Sequence, residues 1–331
     1  MTTDYYSAPA PWRAPFLEHI ATMPTPEFVL STVRRIPPSS SSPGTPATYA
    51  PRARTCVYRG LWAELPANPK NGEPLNPQGV YASDLPTFTT DARMDKAEEL
   101  WGCEVEEEGE GEEGGGRKRE GGKKKKMLRG SGGGAPVEAV WWAPGPKTQW
   151  RVRGTAYLLA ADDVEGSRAE AVVRARMRRL TTSSSSPSSS LPAPPSASSA
   201  SSAPSSRETG ERGEGGTKKT WSFAREVAAH FANLSPAMRG SFRNPPPGRP
   251  VDAPVDDERL GLGQKVTGPL EQDPIARQNF RVVVVLPTEV DRCDLSDPER
   301  ARRWIYRRVG GGGEEGKGEG EGTWEVVEVW P

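Results

Sequence analysis

The chain has 331 residues, of which 34% are hydrophobic, and its mean hydropathy of -0.69 is low for so long a protein. Its 44 basic and 44 acidic residues cancel, which excludes the basic excess of proteins that hold nucleic acid by neutralising phosphates. No apolar run approaches the ~18 residues of a membrane span, and the first residues lack the basic and apolar regions of a secretion signal. We therefore expect a protein that binds neither nucleic acid nor membranes.

The three cysteines, Cys56, Cys103 and Cys293, are far apart in the chain and odd in number. This usage fits a reducing compartment better than a disulfide framework, and the spacing of a zinc site is absent. The sequence therefore predicts a cytoplasmic protein without a structural metal.

Four stretches have compositions that cannot bury enough apolar surface to offset the cost of ordering the chain. They cover residues 36–50, 104–135, 181–219 and 310–322, and we expect them to be disordered insertions in a single domain spanning 1–331. The four lysines at 123–126 are either a nuclear-import or phosphate-binding patch or part of a solvated loop that neutralises its own charge. The serine tract is either a phosphorylated segment or a spacer.

Between these stretches the sequence predicts mainly strands, rich in β-branched and aromatic residues. Residues 12–33 predict one or two short helices, a helical turn follows Asp91, and residues 220–242 predict the last helical segment. The predicted strands are 54–65, 81–91, 137–144, 148–160, 280–287, 302–309 and 323–331. Because helices do not alternate with strands, the order excludes a parallel α/β fold.

The strand at 148–160 shows the period of two that is typical of a half-buried strand. Its polar side carries Arg151, Arg153 and Tyr157, and its apolar side comprises Trp150, Val152, Ala156 and Leu158. Only a short turn separates it from 137–144, which predicts an antiparallel hairpin. We therefore predict a mainly β fold, a small antiparallel barrel with peripheral helices.

The segment 89–101 carries the most polar chemistry per residue. Thr89, Thr90 and Asp91 end a strand, and Thr90 or Asp91 can cap the helix that carries Arg93 and Lys96 on its first turns. A helix N-terminus with two added cations suits a phosphate group. The alternative is a surface helix whose cations pair with the neighbouring carboxylates.

Cations and amides recur at the polar positions of other strands. Arg54 and Arg59 lie on strand 54–65, Gln149 begins strand 148–160, and Arg302 and Arg303 lie on strand 302–309. A side-chain amide can both donate to and accept from the edge of a flat heterocycle. Each residue could be an ordinary exposed strand residue, but together they suggest one shared ligand.

These residues fall into three motifs in a fixed order. The chain resembles the pyridoxamine 5'-phosphate oxidase-like, FMN-binding split-barrel proteins, in particular a subgroup of flavoprotein oxidases with RTxxxRG, TDxRSxK and QxRxRG motifs. The matching stretches are residues 54–60, 90–96 and 149–154, and Trp324 and Pro331 match the closing strand of the family. The resemblance implies an antiparallel split β-barrel that binds FMN.

The resemblance also implies which residues contact the cofactor. Arg54 and Lys96 would hold the FMN phosphate, Gln149 and Arg303 would contact the flavin, and Arg59 stands where the family's oxidases have a lysine. The full implied set is Arg54, Thr55, Cys56, Val57, Arg59, Thr89, Thr90, Arg93, Lys96, Gln149 and Arg303. Arginine keeps the charge of that lysine but not its shape.

Two departures from the family pattern concern the phosphate and the substrate. Met94 replaces the serine of TDxRSxK, so one hydroxyl is missing. Arg239 is the counterpart of a substrate-binding cation or else a surface helix residue. The late Arg-x-His substrate motif has no match, because Ala301 and Arg302 precede Arg303. FMN binding is therefore better supported than oxidation of a vitamin B6 phosphate.

The resemblance implies an FMN-dependent oxidoreductase that acts on a small amine or heterocycle, and a homodimer with FMN at the subunit interface. The alternatives are a flavin-binding or carrier protein without turnover, and an interaction scaffold built on the long tracts. No protein nucleophile is required, because a flavin performs the redox chemistry itself. His19 and His230 are the only histidines, and both fall in predicted helices.

Overall fold

The computed structural model describes residues 8–36, 46–66, 68–69, 71–102, 128–180, 220–255, 257–310 and 322–331. The predicted insertions lie largely outside these ranges. The helices are α1 (Arg13–Ala21), α2 (Asp95–Trp101), α3 (Arg168–Arg174), α4 (Phe223–Ala232), α5 (Pro236–Gly240) and α6 (Pro274–Asn279), with short 3-10 turns at Ser241–Arg243 and Leu270–Gln272. The strands are β1 (Glu27–Ile36), β2 (Thr48–Val57), β3 (Tyr81–Ser83), β4 (Thr87–Asp91), β5 (Gly132–Ala143), β6 (Thr148–Leu159), β7 (Met177–Arg179), β8 (Phe280–Asp294), β9 (Arg302–Val309) and β10 (Thr323–Val329).

Eight of these strands form one antiparallel sheet that closes into a barrel. The order is β10-β9-β8-β6-β5-β1-β2, and β4 also pairs with β8. Closure comes from the residues after β2, because Arg59 N donates to Thr87 O and Thr87 N donates to Gly60 O, both at 2.9 Å. The long strand β8 therefore pairs with β4 over its first part and with β9 over its last part, which gives the split barrel.

The barrel interior is filled by aromatic side chains. Phe16 of α1 makes edge-to-face contacts with Tyr58, Trp141 and Trp150, at centroid distances of 5.9, 5.3 and 5.5 Å. Such pairs add about 0.5–1.5 kcal/mol each beyond the burial of their area. The N-terminal helix α1 is therefore part of the barrel core rather than a peripheral element.

A second core lies outside the barrel, between β8 and helices α3, α4 and α6. Val283 and Val285 of β8 face the barrel interior, whereas Val282 and Val284 face this second core with Phe231 of α4. A strand that is buried on both faces loses the alternation of polar and apolar residues. This double burial explains the continuous apolar run at 282–286.

Two motif glycines are explained by backbone packing. Gly60 has φ +110°, and a Cβ there would meet Pro66 Cδ at 2.7 Å. Gly154 lies at a register shift between β6 and β8, and a Cβ there would overlap the carbonyl oxygen of Leu286. The glycines that end the RTxxxRG and QxRxRG motifs therefore shape the barrel.

The structure confirms the mainly β split barrel and the hairpin of β5 and β6. The helical prediction for 12–33 is wrong after residue 26, because Phe28, Leu30 and Thr32 alternate with exposed residues and form β1. Helices α3 and α6 were not predicted. The boundaries of two insertions are also wrong, because β2 begins at Thr48 and β5 begins at Gly132.

Candidate functional site

An open cavity of about 460 Å³ lies between the β1–β2 hairpin and α2. We call it the cation cavity. Its lining residues are Arg34, Arg52, Arg54, Met94, Asp95 and Lys96. The structure therefore brings Arg54 and Lys96, the two residues predicted to hold a phosphate, to one site.

Strand register places the arginines of the cavity on one face. In the β1–β2 pair, Leu30 lies opposite Arg54 and Thr32 lies opposite Arg52. Residues directly opposite in an antiparallel pair project from the same face, and residues two apart on one strand share a face. Arg34, Arg52 and Arg54 therefore follow one another along the face whose deeper part enters the barrel core.

Glu99 of α2 is the carboxylate that holds two of these arginines. Its side chain is only 2% exposed, and it pairs with Arg54 and, at 2.8 Å, with Arg34 Nε. Thr32 Oγ1 donates to Glu99 Oε2 at 2.6 Å. Burial would raise the pKa of Glu99, but the hydrogen bonds from Thr32 and Arg34 and the charge of Arg54 outweigh it and leave the pKa lowered. A charged Glu99 therefore fixes Arg34 and Arg54 in place.

Lys96 contributes a cation that is not neutralised locally. Among the described residues, its ammonium has no hydrogen-bond or ion-pair partner, and neither has the guanidinium of Arg52. Burial lowers the pKa of Lys96, and Cys56 and Asp91 partly offset this effect. Burial also raises the pKa of Cys56, against the charges of Lys96 and Arg54. Arg54, Cys56 and Lys96 thus lie close together, as the family resemblance implies.

The turn between β4 and α2 differs from the prediction. The N-cap of α2 is Met94, which makes no side-chain cap, so neither Thr90 nor Asp91 caps this helix. Instead, Asp91 accepts from the backbone N–H of Arg93 at 2.8 Å and pairs with its guanidinium at 2.6 Å. The first turn of α2 carries the acidic residues Asp95 and Glu98, so the positive charge of the cavity comes from the lining side chains of arginine and lysine.

The other residues predicted on this turn occupy different environments. Arg93 also donates to the carbonyl oxygens of Phe242 and Asn244, so its guanidinium links β4 to the segment after α5. Thr90 is buried, with Oγ1 4.0 Å from the sulfur of Met94, whereas Thr89 is half-buried and points to the opposite face of β4. Thr90 is therefore the nearer of the two threonines to the cation cavity.

Gln149 and Arg303 lie in one row across the other side of the sheet. Trp142 pairs with Gln149, Gln149 with Cys293, and Cys293 with Arg303 in the strand register. This outer surface of β5, β6, β8 and β9, which we call the ion-pair face, carries four arginines paired with three carboxylates. They are Arg151, Arg153, Arg303 and Arg307 with Glu138, Glu289 and Asp291. Within one chain, this row and the cation cavity share no residue.

The remaining predicted residues lie outside the cation cavity. Thr55 is exposed on the opposite face of β2 from Arg54, and Val57 is half-buried at its end. Arg59 is half-buried, its Nε has no hydrogen-bond partner among the residues that the structure describes, and burial lowers its pKa. Arg239 is buried, not a surface residue, and donates to the carbonyl oxygens of Leu234, Thr267 and Gly268 at 3.1–3.3 Å.

Three residues of the cation cavity and its support, Arg34, Arg52 and Glu99, were missed from the sequence. Arg34 and Arg52 lie outside the motifs, and their shared face depends on the pairing register of β1 with β2. The spacing of Arg52, Arg54 and Cys56 could have indicated that Arg52 lies beside Arg54, because residues two apart on a strand share a face. In the described ranges, no cluster of three metal-ligating side chains occurs, and no helix is long and apolar enough to cross a membrane.

Comparison with known proteins identifies the family. Residues 9–160 match the model of the pyridoxamine 5'-phosphate oxidase, FMN-binding domain, and this stretch contains every residue of the cation cavity. Residues 9–160 therefore contain an FMN-binding domain of this type, which confirms the resemblance and the predicted cofactor, FMN.

Two solved structures are similar to the chain at low identity. A pyridoxamine 5'-phosphate oxidase-related, FMN binding protein from Nostoc punctiforme PCC 73102 has 16% identity and a TM-score of 0.46, with 98% of this chain and 100% of that chain covered. PhzG from Burkholderia lata 383, solved in complex with tetrahydrophenazine-1-carboxylic acid, has 11% identity and a TM-score of 0.38, with 96% and 89% covered. No curated protein matches the chain.

Proposed function

We propose that the cation cavity holds the phosphate of FMN and that the protein is an FMN-dependent oxidoreductase acting on a small amine or heterocycle. The observation that carries the proposal is the charge of the cavity. Four cations face or line it, whereas Asp95 and the buried Glu99 are the carboxylates beside them, so two positive charges are in excess. A phosphate monoester near neutral pH carries close to two negative charges.

The residues of the cavity fit a phosphate in chemistry as well as in charge. Arg54 and Arg34 present guanidinium groups that Glu99 already orients, so little side-chain freedom is lost when an anion binds. Lys96 and Arg52 add donors without competing partners in the described part of the chain. We therefore assign the phosphate to Arg34, Arg52, Arg54 and Lys96, with Thr90 beside them.

A bound flavin supplies the redox chemistry by accepting hydride equivalents from a substrate carbon. The chain's own residues then have to place the ring and the substrate and tune the charge around them. In the proposal, Gln149 and Arg303 contact the ring, Cys56 and Val57 line it, and Arg59 offers a half-buried cation to the flavin or the substrate.

A homodimer with FMN at the subunit interface is part of the proposal. It is supported by the apolar side chains exposed beside the row of Gln149, since Val29, Val33 and Trp142 are 42%, 48% and 47% exposed. A site between two subunits buries more of a ligand than a small barrel can alone. A cytoplasmic location is also proposed, supported by the free thiols of Cys56 and Cys293.

A non-catalytic flavin-binding or carrier protein is the second candidate. The observation that favours this candidate concerns Arg239, the counterpart of a substrate-binding cation. The guanidinium of Arg239 is buried and donates to three backbone carbonyl oxygens. A residue committed in this way has few donors left for a substrate phosphate.

The test begins with the visible spectrum of the purified full chain, followed by release and identification of the chromophore. We expect a flavin spectrum and FMN, and a colourless protein that cannot be reconstituted with FMN would overturn the proposal. Anaerobic mixing with pyridoxamine 5'-phosphate and a panel of small amines then separates the candidates. Bleaching of the flavin band indicates an oxidoreductase, and failure of every amine to reduce the flavin supports the carrier.

A further inference from the structure

A second cavity lies on the α4 side of the molecule and has no residue in common with the cation cavity. It has a volume of about 370 Å³, within the usual range of small-ligand sites. Its walls combine apolar side chains, among them Leu65, Leu75, Tyr81 and Leu180, with polar atoms in nearly equal measure. The polar lining residues are Glu64, Asn76, Gln78 and Glu226, and no lysine or arginine is among the residues described around it.

Glu64 and Glu226 differ in how they are satisfied. Glu64 pairs with Arg13 and accepts from the backbone N–H of Ser83 at 2.9 Å. Glu226 is only 3% exposed, and its Oε2 accepts from Asn76 Nδ2 at 2.8 Å. Its Oε1 has no hydrogen-bond partner, and no ion pair to Glu226 occurs in the described part of the chain. Glu226 is therefore a buried carboxylate without a cation.

The neighbouring groups on α4 do not supply the missing charge. His230 follows Glu226 by one helical turn, is fully enclosed, and stacks on Trp62 at a centroid distance of 5.7 Å. Burial lowers the pKa of His230 to about 3, so its ring is neutral at physiological pH. Burial also raises the pKa of Glu226, and the hydrogen bond from Asn76 only partly opposes this effect. A buried carboxylate in this situation gains strongly from a positive partner.

We propose that this second cavity binds a small organic ammonium ion, with its cation at Glu226 and its apolar body against the leucine and tyrosine side chains. The geometry supports this ligand class because a buried acid with one unpaired oxygen lies in the wall of a cavity that also presents apolar side chains, and no cation lines it among the described residues. The site is separate from the cation cavity, so ligand binding there does not require displacement of FMN.

The experiment uses the FMN-loaded full chain, with benzylamine, which is protonated at neutral pH, and benzyl alcohol as the neutral analogue. Calorimetric titration should show one benzylammonium site, with binding of benzyl alcohol at least about tenfold weaker. Glu226→Gln should weaken benzylammonium binding at least about tenfold, whereas Glu299→Gln, the same change at an exposed loop carboxylate, should leave it unchanged.

The flavin spectrum, recorded in the same titration, should not change. Absence of benzylammonium binding, equal affinity for the alcohol, or a flavin spectral change with the same Kd would overturn the proposal. If Glu226→Gln does not fold, Gln78→Arg at the exposed mouth replaces it. The added cation should weaken benzylammonium binding several-fold, and unchanged affinity in that variant would also overturn the proposal.

Discussion

The cation cavity and the ion-pair face are both rich in arginine, but among the described residues only the cation cavity contains cations without a partner. On the ion-pair face, Arg303 donates to Asp291 at 2.7 and 3.0 Å, and Arg307 pairs with Glu289 at 3.0 Å. In the cation cavity, Arg52 and Lys96 have no partner within the described ranges. Every arginine of the ion-pair face therefore has a carboxylate partner, whereas the cation cavity keeps two cations that can bind a ligand.

This contrast separates arginines that hold the sheet from arginines that can bind an anion. An exposed ion pair contributes little to stability, and an arginine that is already paired with a carboxylate has fewer donors left for a ligand. A concave site with unpaired cations attracts an anion and binds it with charge-assisted hydrogen bonds. The presence of unpaired cations, and not the number of arginines, is therefore the reason why we propose the cation cavity for the phosphate.

The largest effect is expected from removal of two cations of the cavity. Arg54→Ala combined with Lys96→Ala should raise the Kd for FMN by about 100-fold or more, because each lost hydrogen bond to a charged group is worth about 1.5–3 kcal/mol. Fluorescence titration of the FMN-free protein measures this change, and circular dichroism checks that the fold is intact.

The matched control removes the same charge from the exposed loop after α5. Arg259→Ala combined with Lys265→Ala should leave the Kd for FMN unchanged, since both residues are exposed and Arg259 pairs with Asp257. If both double variants bound FMN with the same Kd, the phosphate of FMN would not bind in the cation cavity.

The next effect concerns the carboxylate behind the cavity. Glu99→Gln should lower the free energy of unfolding by about 1–3 kcal/mol at neutral pH, because it removes the charged acceptor shared by Arg34, Arg54 and Thr32. The pKa of Glu99 is lowered in the folded protein, so its contribution is present above its usual value of 4.5 and is lost as the pH falls through the folded-state pKa.

Urea unfolding of both proteins at several pH values measures this difference. The gap between wild type and Glu99→Gln should narrow below pH 4.5, while Glu299→Gln should match wild type at every pH. A gap that is independent of pH would show that Glu99 acts through packing and not through its charge.

The sequence predicted the parts of the cavity that lie in local motifs and missed the parts set by long-range pairing. Arg54 and Lys96 were found because RTxxxRG and TDxRSxK mark them. Arg34 was missed because its face follows from the β1–β2 register, and residues 27–33 were assigned to a helix although Val29, Thr32 and Val33 favour a strand. Glu99 was considered only as a partner for its neighbours on α2, whereas it pairs with strands β1 and β2.

A smaller effect should distinguish the flavin contact proposed on the ion-pair face from its neighbours. Arg303→Ala should weaken FMN binding about three- to tenfold, since one hydrogen bond contributes about 0.5–1.5 kcal/mol. Arg307→Ala is the control, because Arg307 lies four residues further on the same face of β9 and pairs with Glu289 as Arg303 pairs with Asp291. The same Kd in both variants would mean that the ion-pair face does not contact FMN.

The smallest effect tests the departure from the family motif at Met94. Its backbone is extended, with φ -73° and ψ 147°, and its side chain does not cap α2. Serine in this position can accept from a free N–H of the helix and donate to a phosphate with the same hydroxyl. Met94→Ser should therefore raise the free energy of unfolding by about 0.5–1 kcal/mol and tighten FMN binding about two- to fivefold.

The control for Met94→Ser is Met94→Ala, which removes the same partly exposed thioether without adding a hydroxyl. Thermal unfolding of the FMN-free proteins measures how much the hydroxyl stabilises the fold by capping α2. FMN titration of the same samples measures whether the hydroxyl also contributes to binding of the phosphate. A serine variant that gains stability but not affinity would show that position 94 caps α2 without reaching the phosphate. Identical behaviour of the serine and alanine variants in both measurements would show that the hydroxyl forms neither contact, and the cations would then hold the phosphate alone.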